Sequence, residues 1–126
     1  LERHGRPGSG SAPPASDFEL PDGAFLIGSV DGHDVSCGGV CRFDTETAEI
    51  RRMYIVPQRR GAGFSRRMLG ALEDQARSLG YRRVRLETGV HQHEALGLYR
   101  SSGFAEIPRY GPYVDDELSV CFEKLL

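Results

Sequence analysis

An apolar run ending at Met53-Tyr54-Ile55-Val56 breaks at Pro57, passes through Gln58-Arg59-Arg60-Gly61-Ala62-Gly63, and gives way to an amphipathic helical pattern opened by Phe64-Ser65. A strand that empties through a glycine loop into a helix fixes half of a strand–helix–strand unit. It also leaves the free N–H groups of a first helical turn, with the positive end of the helix dipole behind them, pointing at whatever lies above the loop. Gly61 and Gly63 let the backbone approach a ligand without a Cβ in the way. The loop lacks the Lys-Ser/Thr pair of a nucleotide-hydrolase P-loop and the three-glycine spacing of a dinucleotide fold. It predicts a pyrophosphate cradle of another kind, although a glycine-eased loop before a surface helix would read the same way.

The flanking sequence is regular from Gly23 onward. Residues 24–30 predict a strand, 31–34 a turn, and 35–43 an antiparallel partner. Gly38-Gly39 inside that partner mark a bulge or a close approach, and we read a bulge. After the turn Asp44-Thr45-Glu46-Thr47, residues 48–56 form the strand that leads into the glycine loop. Phe64, Met68, Leu72, Ala76 and Leu79 share one helical face across residues 61–79, with Gly80 as the cap. Residues 81–88 then alternate, with Val84, Leu86 and Thr88 facing one way and Arg83, Arg85 and Glu87 the other, which makes a parallel unit with a right-handed crossover. A helix over 93–102 ends at Gly103. A last antiparallel pair, 104–107 and 118–125, is joined by a Pro/Gly-rich loop over 108–117. The whole predicts an α/β fold with a mixed, mostly antiparallel twisted sheet and no internal repeat.

A chain of 126 residues fits one domain that buries about two thirds of its unfolded surface. Its formal net charge of −2 gives no bulk attraction to nucleic acid or anionic lipid, yet Arg51, Arg52, Arg59, Arg60, Arg66 and Arg67 crowd around the glycine loop. A solvated basic face would produce the same cluster. Because the aromatics do not interleave with the arginines, no nucleic-acid partner is expected. Cys37, Cys41 and Cys121 lack zinc or disulfide spacing and read as core thiols. His91-x-His93 has no carboxylate or thiol pattern to complete a shell, so no metal is expected. No apolar run approaches the ~20 residues of a membrane span and no signal-peptide pattern is present, so no membrane partner and a cytoplasmic location are expected. Residues 1–17, rich in Gly, Pro and Ser, read as a flexible tail or as the remnant of an N-terminal helix closed by Gly5. Residues 18–126 read as the domain.

The order Gln58-x-x-Gly61-x-Gly63, then about twenty residues on the strand 81–88, then Leu98-Tyr99-Arg100-Ser101-Ser102-Gly103-Phe104, resembles the signature of the GNAT superfamily of acyl-CoA-dependent N-acyltransferases. The resemblance runs from about Phe18 to the C-terminus. It implies a central strand–helix–strand unit that binds acyl-CoA where two parallel strands splay apart. Met53, Tyr54, Ile55 and Val56 would line the pantetheine arm, and Gln58, Arg59, Arg60, Gly61, Ala62, Gly63, Phe64 and Ser65 would hold the pyrophosphate. The implied reaction moves an acetyl group from acetyl-CoA to a primary amine, on a small molecule or a peptide, by direct attack in a ternary complex. Tyr99 would protonate the departing thiolate, since an unperturbed phenol near ~10 matches a thiolate in basicity. Ordinary packing of Tyr99 at helical spacing is the competing reading. A backbone N–H near Ile55 or Val56 would face the oxyanion.

Glu49 resembles in position the glutamate that deprotonates the amine in some relatives, directly or through water. A surface ion pair with Arg51 and Arg52 explains the same sequence, and His91 and Glu87 are alternative bases. Asp115-Asp116-Glu117 lies in the loop that commonly borders the acceptor channel, where a cationic amine would fit and where a solvated acidic turn would look identical. Family members usually begin with a strand and one or two helices that build part of the acceptor wall, and those elements have no visible counterpart here. A CoA-binding regulatory module, or a catalytically incomplete one that needs a partner subunit, is therefore the alternative to a complete enzyme. Oligomeric state is open, a homodimer included.

Overall fold

A computed structural model describes residues 15–126. The readings made for residues 1–14 lie outside the described residues. In chain order the elements are β1 (Ala24–Val30), β2 (His33–Arg42), β3 (Thr47–Ile55), α1 (Phe64–Ser78), β4 (Arg83–Gly89), α2 (His93–Ser101), β5 (Ala105–Ile107) and β6 (Ser119–Leu125), with short 3₁₀ turns at Ala15–Phe18, Pro57–Arg59 and Gly111–Tyr113. The strands form one sheet in the order β1-β2-β3-β4-β6-β5, in which the β3–β4 pair is parallel and the rest are antiparallel. The expected mixed, mostly antiparallel α/β fold is what forms.

Local chemistry sets the element ends. Asp31 and Gly32 both take positive φ, the mirror-image turn that suits a tight hairpin, so β2 restarts at His33, two residues earlier than the turn signal suggested. Asp44 Oδ1 accepts the backbone N–H groups of Glu46 and Thr47 at 2.9 and 2.8 Å and closes the β2–β3 turn. Helix α1 begins at Phe64 rather than Gly61 because Gly61 and Gly63 both lie in the left-handed region, at φ 80° and 86°.

Met68, Leu69, Leu72 and Ala76 of α1 pack on Val40, Ala48, Ile50, Val84, Leu86 and Phe122 of the sheet, and Leu96 and Tyr99 of α2 extend the same core. One ion pair enters this layer, Lys124 Nζ to Glu73 Oε1 at 2.7 Å.

The irregularity expected at Gly38-Gly39 is there, as a register shift between Cys37 and Gly39, and the glycines also serve close approaches. A Cβ on Gly38 would meet Leu72 Cδ1 at 2.7 Å, and one on Gly39 would meet the Phe18 ring at 2.5 Å, so these glycines admit α1 on one face and Phe18 on the other. The bulge is opposite them in β3. Between the pairs Cys37–Tyr54 and Gly39–Arg51, β3 carries one extra residue, and Arg52 takes φ 58° there. Its guanidinium lies over the Phe18 ring, 4.9 Å from the centroid.

Candidate active site

Strands β3 and β4 are paired only at Thr47–Arg83, Ala48–Val84 and Glu49–Arg85. Beyond Glu49 they part, while β3 stays bonded to β2 as far as Ile55 and β4 stays bonded to β6 as far as Gly89. A wedge-shaped gap therefore opens in the middle of the sheet, with Glu49 at its apex and the bulge at Arg52 along one side. Val56 N–H donates to the Val35 carbonyl at 2.9 Å, which makes Ser36–Ile55 a non-hydrogen-bonded pair. The N–H and C=O of Ile55 accordingly point away from β2 into the gap. Of the two N–H groups named from sequence as oxyanion donors, Val56 is committed to β2 and Ile55 faces the opening.

The glycine loop closes the wide end. Gly61, Ala62 and Gly63 are exposed, and a Cβ at either glycine would meet no atom within 4 Å. Their backbone angles, not crowding within the chain, are what demand glycine. Gly63 is the N-cap of α1 and forms no side-chain cap bond, so the first-turn N–H groups are left without such a partner. Phe64 and Ser65 are half-buried on that turn, and Gln58 is exposed at the preceding 3₁₀ turn.

The arginines disperse to separate tasks. Arg60 Nε donates to the Ile55 carbonyl at 3.0 Å, with its guanidinium 5.4 Å from the Tyr54 ring centroid. Arg66 reaches from α1 to α2, donating to Ser102 Oγ at 3.0 Å and Ser101 Oγ at 2.9 Å. Arg59 is half-buried in the loop, and Met53 and Tyr54 are half-buried along the diverging edge.

The sheet face opposite the helices holds a cluster of ionisable side chains. Glu49 is 8% exposed, so the surface-pair reading of Glu49 with Arg51 and Arg52 fails: Arg52 turns to Phe18, and Arg51 Nη1 lies 3.5 Å from Glu49 Oε1 in a largely buried setting. Tyr110 Oη donates to Glu49 Oε2 at 2.9 Å. Burial raises the Glu49 carboxyl above its ordinary range, against the opposing pull of Arg51 and of the Tyr110 hydrogen bond. Cys41, its cross-strand neighbour, is pushed up to about 12, mainly by burial and then by Glu49, and stays a thiol. Nearby, Arg85 Nε donates to Glu123 Oε2 at 2.6 Å, and Ser119 Oγ donates to Glu87 Oε2.

Tyr99 is buried at 5% exposure in the helix-side core, its ring 5.8 Å from that of Phe104 and 5.7 Å from that of Phe122. Packing accounts for its ring. His91 and His93 are exposed at the β4–α2 junction, and among the described residues no group of three or more His, Cys, Asp and Glu is placed to hold a metal. The acidic run turns inward at one residue only: Asp116 Oδ1 accepts Leu118 N–H at 2.9 Å, while Asp115 and Glu117 are exposed.

Two residues escaped the sequence reading. Tyr110, in the β5–β6 loop, had no local signal linking it to a strand sixty-one positions away. Thr88 was assigned only to a face, yet its Oγ1 is buried without a hydrogen-bond partner among the described residues, on the stretch of β4 that has left β3. A groove of about 400 Å³, lined in part by Phe25, Ile27, Phe64 and Met68, lies between β1–β2 and the start of α1, beside this gap rather than in it.

The pattern of the family described as Acetyltransferase (GNAT) matches residues 3–104. The chain belongs to the GNAT acetyltransferase family. An IAA acetyltransferase of Azospirillum brasilense is 43% identical over 108 residues, covering 84% of this chain and 70% of that protein. The N-acetyltransferase YjgM of Escherichia coli K12 is 30% identical over 93 residues, covering 71% of this chain and 56% of that protein. Among solved structures, an acyl-CoA N-acyltransferase from Klebsiella pneumoniae aligns with a TM-score of 0.81 at 37% identity, over 89% of this chain and 78% of its own. A GNAT acetyltransferase of Elizabethkingia anophelis, solved with acetyl-CoA bound, shares the fold at a TM-score of 0.75 and 18% identity, over 88% of this chain and 80% of its own. This GNAT domain is thus an N-acetyltransferase by family, and among its described residues no helix is long and apolar enough to cross a membrane.

Proposed function

We propose that this GNAT domain, residues 18–126, transfers an acetyl group from acetyl-CoA to a primary amine by direct attack in a ternary complex. The observation that carries this reading is the parting of β3 and β4 beyond Glu49, in front of an α1 N-terminus whose glycine loop is held in left-handed backbone geometry. The gap offers the Ile55 N–H as a strand-like partner, and the loop from Gln58 to Ser65 offers backbone donors and the helix dipole to a pyrophosphate. Acetyl-CoA supplies the thioester. Met53, Tyr54, Ile55 and Val56 flank the gap, and Thr88, whose buried Oγ1 has no hydrogen-bond partner among the described residues, lies on the stretch of β4 that borders it.

Glu49 is assigned as the base and Tyr99 as the acid. The amine nitrogen forms a bond to the thioester carbon, its proton passes to Glu49 directly or through a water, the C–S bond breaks, and the Tyr99 hydroxyl protonates the sulfur. Both side chains return to their starting states by proton exchange with solvent. A carboxylate raised by burial is a stronger base than an exposed one, and such assistance is worth roughly 10²–10⁴ in rate.

A thiol-release assay with acetyl-CoA and a panel of amines, amino acids and peptides tests the reading. IAA, which carries no primary amine, is added as a separate compound because the Azospirillum brasilense relative is called an IAA acetyltransferase. Release that depends on an amine, and that falls in Glu49→Gln and Tyr99→Phe without loss of acetyl-CoA binding, is the expected result. Full activity in Tyr99→Phe removes the acid assignment. Binding with no release for any amine points instead to a CoA-binding module.

A further inference from the structure

Tyr110 leads into the 3₁₀ turn of the β5–β6 loop and is one of the most constrained side chains on the polar face. Its ring meets Phe43 edge-on at 5.2 Å between centroids and Tyr113 edge-on at 5.6 Å, and the Arg85 guanidinium lies 5.3 Å from its centroid. The loop backbone is pinned beside it, with Tyr113 N–H donating to the Tyr110 carbonyl at 3.0 Å and Arg109 Nε donating to the Ser119 carbonyl at 3.3 Å. A ring held on three sides leaves its hydroxyl one direction, and that direction is Glu49 Oε2 at 2.9 Å.

We infer that Tyr110 is a positioning residue for Glu49: by clamping one carboxylate oxygen at the apex of the gap, it makes the β5–β6 loop the element that sets how the base is aimed and how readily it gives up its proton. The inference rests on Glu49 being the base. With Oε2 occupied, Oε1 is the oxygen left to take the proton from the amine, since its contact with Arg51 is longer at 3.5 Å.

Arg51 is the other group that holds Glu49, from its own strand rather than from a loop. It lowers the Glu49 carboxyl through space and through the longer contact. From β2, Cys41 stays a thiol. From β4, Glu87 opposes ionisation and is bonded by Ser119, while Arg85 is engaged by Glu123 of β6. Cys121 of β6 is raised chiefly by burial. Tyr113 packs on Tyr110, and Tyr110 itself is pushed far above its ordinary value by burial and by Glu49, so it remains a donor. A hydrogen bond to the charged form favours that form.

The experiment is a carbon-13 NMR titration of carboxyl-labelled glutamates, with the Glu49 resonance assigned by its loss in Glu49→Gln. In Tyr110→Phe, which keeps the ring, the Glu49 titration should move to higher pH. Replacing Tyr110 by difluorotyrosine, a stronger donor of the same shape, should move it to lower pH, and this second replacement carries the test if the first disturbs folding. An unmoved titration in both overturns the inference.

The pH dependence of kcat/KM with the best amine of the panel separates the two claims. Its acid limb should follow the titration in each variant, with a roughly tenfold loss for Tyr110→Phe at neutral pH that recovers at higher pH. A titration that moves while the acid limb stays fixed upholds the Tyr110–Glu49 coupling and removes Glu49 as the base.

Discussion

On one side of the sheet Val40, Ala48, Ile50, Val84, Leu86 and Phe122 meet α1 and α2 in an apolar core that the Lys124–Glu73 ion pair enters; on the other side of the same strands Cys41, Glu49, Arg51, Arg85, Glu87 and Cys121 meet Phe43, Tyr110 and Tyr113. The period of two in a strand makes this division possible, because Ala48 and Ile50 face the helices while Glu49 and Arg51 between and beyond them face the loops. The helix side stabilises the fold through area removed from water. The loop side opposes it by holding a carboxylate out of water, with Tyr110 and Arg51 in partial compensation. Substitutions at Glu49 and at Leu72 therefore probe the two sides separately, whereas Tyr99 belongs to the core and to the proposed chemistry at once.

Glu49→Gln sharpens the contrast most. Turnover should fall by roughly 10²–10⁴, measured as thiol release, while stability rises at neutral pH. The sign follows from the raised carboxyl, which favours the folded state below the ordinary carboxylate range and loses that contribution as pH climbs through its folded value. Thermal unfolding across pH should show the stability advantage of the Glu49→Gln variant shrinking as pH falls toward about 4. Leu72→Ala acts on the opposite face. Leu72 is fully buried against the sheet, so denaturant unfolding should register a loss of about 3 kcal/mol with acetyl-CoA affinity retained by the folded fraction.

Thr88→Val could break the division, since Thr88 is a polar residue on the helix side. Removing a buried hydroxyl without a partner should raise stability by about 1 kcal/mol while weakening acetyl-CoA use, seen as a higher KM for acetyl-CoA. A loss of stability would mean that the hydroxyl serves the fold. Asp44→Ala tests ground that belongs to neither face. The backbone N–H of Glu46, chiefly, holds the Asp44 carboxyl below its ordinary range, so the variant should be slightly less stable at neutral pH in denaturant unfolding, a difference that fades as pH falls through the lowered value.

Features governed by near neighbours were legible in the sequence: the strand periods, the helical stripe from Phe64 to Ala76, the glycine loop, and the ordered pair of motifs that marks the family. Gly38-Gly39 marked the place of a register shift, but the residues that demand their missing Cβ atoms, Leu72 and Phe18, come from distant parts of the chain and could not be named. The bulge itself fell on Arg52, a residue type with no preference for positive φ, so nothing local announced it. Glu49 followed by Arg51 and Arg52 reads as a surface charge pattern. Its burial depends on the β5–β6 loop folding over it, and Tyr110 became visible as its partner only in three dimensions.

The central claim is that the gap between β3 and β4, closed by the glycine loop, is an acetyl-CoA site. Calorimetric titration of this chain and of Gly61→Glu with acetyl-CoA, 3′-dephospho-CoA and ADP tests it most directly. Binding of acetyl-CoA that is far tighter than that of ADP, and that disappears in Gly61→Glu while the fold is retained, is the predicted result. Equal binding of ADP and acetyl-CoA, or binding untouched by Gly61→Glu, would contradict the assignment of the gap and of its loop.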